Sequence, residues 1–517
     1  MTPPRLSLPA RDLPLDGVFE TFADVMEAAA ARFPACEAYV QGARRLSFSD
    51  WYRDADGLAG ALQAHGVRQG DVVLIALDSS IEFATACAGA LLLGAVASGV
   101  NTRLGPQEIG GIIAGSGAKA LIAEDSAAVP ADVPLVIRRA ALPELCRQPP
   151  LGRRRPRVRG SDPAIIVWTS GTTGQPKGAW FDHRNLEAAI FTAGPMAAPF
   201  DRRLVSTPFA HAGYMTKLWE QLAFVMTNVI SPASWNARDM LRLIAEEKIT
   251  WVGAVPTQWA KLMALPEVRE ADFSTLRIAA SATAPMPADL AERVTRTLGC
   301  PLIVRYASTE SPSMTGTVPG DDPETLFHTV GLPQLGVELR IVDDRGVPVA
   351  DGDIGVVQVR SPVVMRGYWR DEEATRAVLA PDGWFSSGDL GRFDDDGNLV
   401  LVGRRDDMYI RGGYNVYPTE VERVLAEHPD VGQVVIVGMP APVIGEIGVA
   451  FVVPADRSRP PSLDALRAWC RERLADYKTP DRLEIVEALP LTAMMKIDKR
   501  ALRAVVGVES GSGVTLQ

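Results

Sequence analysis

From about residue 20 to residue 300 the chain repeats one pattern: a short, mostly apolar run, then a longer stretch with apolar residues at helical spacing. Residues 72–77, 164–169, 250–255, 276–281 and 302–306 are the apolar runs; 82–93, 237–247 and 288–298 are helical stretches between them. A strand without polar alternation is covered on both faces, and helices are the usual cover. The pattern therefore predicts layered α/β subdomains with largely parallel sheets.

The texture changes near residue 331. Residues 337–342, 356–360 and 399–402 read as shorter strands joined by Asp/Gly turns, which predicts a β-rich subdomain over about 331–403. After Arg404 a third texture begins. A helix over 419–427, strands over 434–437 and 449–453, a helix over 463–475 and a strand over 483–486 make an α+β unit of about a hundred residues, an ordinary domain size. The expected division is 1–403 and 404–517. Internal repeats are absent, and the Gly/Ser-rich residues 509–517 read as a frayed tail.

With 63 acidic and 53 basic side chains the net charge is -10, which argues against nucleic acid held on a broad basic face. The basic run 153–159 is broken by Pro156 and reads as a solvated connector. Cys36, Cys87, Cys146, Cys300 and Cys470 are odd in number and far apart, which predicts neither disulfides nor a zinc site and fits a reducing compartment. The uncharged stretch 83–100 is long enough for a membrane span. It is rich in Ala and Gly and interrupted by Gly94, Ser98 and Gly99, so a buried helix followed by a strand is expected. No signal core follows Met1. These readings together predict a soluble, cytoplasmic protein.

The densest chemistry lies at 168–178, Trp-Thr-Ser-Gly-Thr-Thr-Gly-Gln-Pro-Lys-Gly. Thr169, Ser170, Gly171, Thr172, Thr173 and Gly174 supply hydroxyls and permissive backbone, and Lys177 adds positive charge. Successive N–H groups in such a loop can wrap phosphate oxygens. The Walker pattern fails, because Lys177 is preceded by Pro176 and followed by Gly178. A polar turn between strands is the bland reading, but turns rarely reach this density with a lysine.

This loop resembles the signature of the adenylate-forming superfamily: acyl-CoA synthetases, 4-coumarate-CoA ligases, luciferases and peptide-synthetase adenylation domains. Further motifs follow in that family's order over nearly the whole chain. Arg305-Tyr306-Ala307-Ser308-Thr309-Glu310 is similar to its aromatic-Gly-x-Thr-Glu motif. The resemblance implies that Tyr306 packs on adenine, that Thr309 meets the α-phosphate region, and that Glu310, with Thr173, holds Mg2+. Ala307 stands where the family has glycine. Thr283 and Ala284 resemble the segment bordering adenine, although a strand-to-helix turn reads the same way. Asp389 resembles the ribose-binding acid, Arg404 a ribose or phosphate contact, and Asp406 the hinge residue. Gly412 and Gly413 resemble the loop that serves thiol transfer. A glycine turn before a helix capped by Thr419 and Glu422 fits the same residues. Lys496 matches the catalytic lysine, with Met495 replacing a glycine.

Pro208-Phe209-Ala210-His211-Ala212-Gly213 resembles the family segment that lines the acyl site, with His211 as gate; a satisfied core histidine is the alternative. Gly253, Ala254 and Ala282, with Gly213, are small and are expected to leave room for a bulky apolar acid: alicyclic, aromatic or terpenoid.

The resemblance implies a small mobile C-terminal domain, and an ATP- and Mg2+-dependent enzyme that makes acyl-AMP, releases pyrophosphate and transfers the acyl group to coenzyme A. Two alternatives stay open. One is a stand-alone adenylating enzyme that serves a separate carrier protein or partner ligase. The other is a degenerate member that binds acyl-AMP. A homodimer is a further expectation.

Overall fold

The computed structural model describes residues 13–127, 133–152, 155–169, 176–282, 286–492 and 497–509. Packing divides the chain into two compact units, Met1–Leu339 with Val359–Phe385 and Arg340–Gln358 with Ser386–Gln517.

The first unit contains a nine-stranded and a seven-stranded sheet among the described residues. In the larger, Leu302–Tyr306, Ile278–Ala282, Trp251–Ala254, Arg202–Val205, Thr227–Ile230 and Glu37–Gln41 are successive parallel neighbours. In the smaller, Pro163–Thr169, Val96–Gly99, Val72–Ala76, Ala120–Ala123 and Leu135–Arg138 run parallel, and strand Lys177–Asp182 folds back antiparallel on Pro163–Thr169. The expected α/β layering is present.

Pleating sends alternate residues of the larger sheet to opposite faces. Leu204, Val252, Ala279, Leu302 and Val304 turn towards Met240, Trp259, Leu290 and Val294, all buried in one apolar cluster. Each Leu, Val or Met among them contributes ~1.5–3 kcal/mol on leaving water. The uncharged stretch resolves as expected into a buried helix, Ile81–Leu92, and a buried strand, Val96–Gly99. Ser80 caps the helix, its Oγ accepting from the Phe83 N–H at 3.2 Å. Gly94, at φ +72°, turns the chain between helix and strand, a backbone setting that costs other residues more. No helix of the described residues is long and apolar enough to cross a membrane.

The second unit holds most of a four-stranded sheet, ordered Glu338–Val342, Gly355–Arg360, Phe385–Phe393, Leu399–Arg404, and a five-stranded one around Gly445–Pro454. Strand Val431–Ala441 is longer than expected because it pairs with Gly445–Pro454 along its whole length. Helices Pro418–Ala426 and Leu463–Arg471 bury Val421, Leu425, Leu466 and Cys470 together. The change of texture suggested a division at 403/404, whereas the packing division falls earlier. Strand Phe385–Phe393 pairs with Leu399–Arg404, and Arg423 of the next helix donates to the Leu401 carbonyl at 3.0 Å. Residues 386–403 therefore group with the C-terminal unit.

Candidate active site

The expected phosphate loop is closed at its base as a hairpin. Thr169 lies opposite Lys177 in the register, and its hydroxyl donates to the Lys177 carbonyl at 3.3 Å. Ser170, Gly171, Thr172, Thr173 and Gly174 lie outside the described residues. Next to the hairpin, strand Gly367–Tyr368 pairs with Lys177–Asp182. The Lys177 ammonium stands 5.3 Å from the centre of the Tyr368 ring. The Tyr368 hydroxyl donates to Glu310 Oε1 at 2.8 Å. The Glu310 carbonyl accepts from the Met365 N–H at 2.8 Å. The lysine and glutamate motifs, 133 residues apart (310 - 177), therefore meet through Tyr368, which no sequence motif marks.

Glu310 is partly exposed, with one carboxylate oxygen on Tyr368. Among the described residues no group of three or more His, Cys, Asp or Glu gathers. A single accessible carboxylate beside a lysine suits a magnesium ion that takes its remaining oxygens from phosphate and water. Tyr306 ends strand Leu302–Tyr306 and is only 8% exposed. Ala307 is exposed, and Ser308 and Thr309 are half-buried in a turn closed by the Ser308 N–H to the Ser311 carbonyl at 3.0 Å. Thr283 and Ala284 lie outside the described residues.

The expected acyl-site residues separate onto two faces of the larger sheet. Register aligns Trp251 with Arg203 and Ile278, Gly253 with Ala280, Ala280 with Ile303, and Ala282 with Arg305. Gly253 and Ala282 therefore share a face. Ala254 turns the other way and packs on the apolar cluster of Val252 and Trp259. Gly253 does not leave open space either, because a Cβ there would stand 2.6 Å from the Trp251 ring.

That ring carries the Arg203 guanidinium 4.6 Å from its centre. Arg203 pairs with Glu220 at 2.6 Å, and Glu220 with Lys217 at 3.1 Å. Burial pulls the Lys217 ammonium down, against the attraction of Glu220. Burial also pulls Arg305 down to about 10. These charges are not legible as a group in the sequence, because nothing in their spacing unites them.

His211 caps the short helix Ala212–Met215, its Nδ1 accepting from the Gly213 N–H at 3.1 Å. Phe209 and Tyr214, on either side of it in sequence, stack with centres 3.7 Å apart and planes 7° from parallel. Tyr214 is tied by its hydroxyl to Tyr39 at 2.8 Å.

In the second unit Asp389 and Arg404 lie directly opposite across paired strands, Oδ1 to Nε 3.1 Å. Asp406 is exposed in the turn Arg405–Asp407. Gly412 and Gly413, at φ +58° and +86°, form the two-residue turn between Tyr409–Arg411 and Tyr414–Val416. Positive φ at both positions is what such tight hairpins require. The expected capping box is absent. Pro418 takes the first helical position, so Tyr417 is the N-cap and makes no side-chain cap bond. Glu422 accepts instead from the Ile436 N–H at 2.8 Å and stands 3.4 Å from Lys499. Lys496 lies outside the described residues.

Comparison with known proteins matches residues 26–369 to the AMP-binding enzyme family and 420–496 to its C-terminal domain. A feruloyl-CoA synthase of Amycolatopsis is 36% identical over 481 residues, 91% of this chain and 96% of that protein. A long-chain-fatty-acid–CoA ligase of Mycobacterium tuberculosis is 32% identical over 485 residues, 91% of this chain and 95% of that protein. The crystal structure of an anthranilate CoA ligase in complex with anthranoyl-AMP superposes with a TM-score of 0.87 at 26% identity, covering 96% of this chain and 99% of that one. With both parts of the family pattern present in order, the chain belongs to the AMP-binding enzymes.

Proposed function

We propose that this protein is an AMP-forming acid–thiol ligase. It activates a carboxylic acid with ATP, releases pyrophosphate, and passes the acyl group from acyl-AMP to coenzyme A. The observation that carries the reading is the meeting of Lys177 and Glu310 through Tyr368 beside the hairpin of the Thr/Ser/Gly loop. That is a cation and a metal-competent carboxylate at one polyanion site. Relatives named as CoA ligases, matched over nearly their whole length, support the same reading.

A carboxylate is a poor acyl donor because its charge repels nucleophiles and its oxygen leaves badly. Attack on the α-phosphate removes both obstacles, but two anions must approach. Lys177, the loop N–H groups of 170–174 and Lys496 are the groups assigned to offset that repulsion. Magnesium on Glu310, with Thr173 in support, supplies further neutralisation of the phosphates when bound. Tyr368 holds Glu310 in place through its hydroxyl. Asp389, held by Arg404, is assigned to the ribose, since a carboxylate accepts from two hydroxyls at once. Tyr306, Ala307, Ser308, Thr309, Thr283 and Ala284 are assigned to the adenine and α-phosphate side. His211 is assigned to the acyl gate, with Gly213, Gly253 and Ala282 beside it. Asp406 is assigned to the hinge by which Lys496 withdraws and Gly412–Gly413 serve the thiol step, a known class of domain motion.

The test is a panel of carboxylic acids assayed for pyrophosphate release, with and without coenzyme A. Acid-dependent release, with thioester formed only when coenzyme A is present, is the expected result. Release without thioester would assign the acyl group to a different acceptor, such as a carrier protein. No release with any acid would refute the proposal.

A further inference from the structure

Strand Trp251–Ala254 is central in its sheet, flanked by Ile278–Ala282 and Arg202–Val205. Its row neighbours on the face shared by Gly253 and Ala282 are buried: Arg203 and Ile278 beside Trp251, Val205, Ala280 and Ile303 around Gly253. Trp251, Gly253 and Ala282 nevertheless keep accessible surface. Ala254, on the opposite face, is equally half-buried, so accessibility alone does not choose a face; on the Gly253 face the room above the strand is bounded by the Trp251 ring itself. The Trp251 ring leans along the strand into that space, its Cη2 2.6 Å from where a Gly253 Cβ would be. The strand is glycine at this point because the indole occupies the room a side chain needs.

The indole is also held from behind. Arg203 lies over its ring, Glu220 holds Arg203, and Lys217, six residues beyond His211, holds Glu220. Breaking one partner of a buried pair is costly, so this support is stiff. From the row of Ala282 and Arg305 at the carboxyl ends of the strands, the ring tip is one pleat repeat away, about 7 Å at ~3.3 Å per residue. An aryl-sized group fits that depth; an extended long chain does not.

We infer that Trp251 is the floor of the acyl site and restricts the enzyme to compact acids, excluding long-chain ones. The inference rests on the adenylate-forming reading above and names the substrate class within it. It separates this chain from its long-chain relative, although the two are similar throughout.

The test measures kcat/KM for pyrophosphate release on benzoate, cinnamate, octanoate and dodecanoate, in the wild type and in Trp251→Ala, Trp251→Phe and Gly253→Ala, each with its thermal midpoint. Wild type is expected to favour the compact acids. Removing a pocket-filling group alters discrimination by about tenfold or more, so Trp251→Ala is expected to raise the dodecanoate-to-benzoate ratio by at least that factor. Trp251→Phe keeps an aromatic body on Arg203 and is expected to move the ratio the same way by less, which preserves the test if the alanine variant unfolds. Gly253→Ala pushes the indole and is expected to sharpen the preference for compact acids. A stably folded Trp251 variant with an unchanged size profile would overturn the inference, as would a wild type that prefers dodecanoate. A wild type inert towards every acid would overturn the adenylation reading and this inference with it.

Discussion

The corner of Lys177, Tyr368 and Glu310 and the strand Trp251–Ala254 belong to the same unit, and each holds residues expected to face substrate (Lys177 and Glu310 in one, Gly253 and Ala254 in the other), but they differ in what fixes them. The corner is polar and partly exposed, and its charged members sit in recognisable motifs. The strand ends in two small residues, Gly253 and Ala254, and its Trp251 ring is flanked by charges distant in sequence: Arg203, Lys217 and Glu220. On the proposed reading the charge at the corner serves the phosphates, whereas the charge beside the strand packs on a ring. The contrast teaches that a small residue is not evidence of empty space. Gly253 is small because Trp251 fills the space, and Ala254 because it packs on the core.

Substitutions can break this contrast. The largest effect is expected for Lys496→Ala, with Glu310→Gln next to it. Losing a preorganised charge of this kind costs ~2.7–4 kcal/mol, or 10²–10³ in adenylation rate. Neither variant is expected to lose stability, and thioester formation from synthetic acyl-AMP is expected to survive in Lys496→Ala. Single-turnover rates of the two half-reactions check this, and wild-type adenylation would remove either residue from the site.

Ala254→Phe is expected to do the reverse. Ala254 is half-buried against the apolar cluster, and overpacking a packed site costs ~1–3 kcal/mol. The thermal midpoint should fall and all acids should lose activity together, because the side chain faces Val252 and Trp259 rather than substrate. A stable variant with a changed size preference would place Ala254 in the pocket after all.

The smallest effect is expected for Tyr368→Phe. It removes one hydrogen bond to a partly exposed carboxylate, worth ~1 kcal/mol, or about fivefold in rate. Because the hydroxyl acts through Glu310, the loss should shrink when Glu310 is already glutamine. An undiminished loss in the double variant would separate Tyr368 from the metal side of the site.

Much of the fold was legible in the sequence because buried parallel strands announce themselves as apolar runs. Strand Leu302–Tyr306 and helix Ala288–Leu298 fall where the periodicity put them. Helix 463–475 ends early, at Arg471, where the last turn tightens and the Arg473 N–H reaches back only three residues to the Cys470 carbonyl. The capping box that fits the sequence at the start of helix Pro418–Ala426 does not form, for a local reason: Pro418 occupies the first turn, and Glu422 is drawn away to Ile436 and Lys499. Within the site, Glu310 and Lys177 were legible as motif members. Tyr368 and Trp251 were not, since each acts through a neighbour more than fifty residues away or through a ring that only the register brings into place. The opposite facing of Gly253 and Ala254 follows from pleating, but which face meets the core depends on neighbouring strands.

The central claim, that the acid itself attacks the α-phosphate, is tested most directly by following oxygen. The most active acid of the panel, labelled with 18O in its carboxylate, is turned over with ATP and coenzyme A, and the AMP is analysed by mass spectrometry. Adenylation places one acid oxygen in the bridge to phosphorus, and thiolysis leaves it there. The account therefore predicts AMP carrying one 18O per thioester formed. Unlabelled AMP, or label recovered in inorganic phosphate with ADP as product, would contradict it.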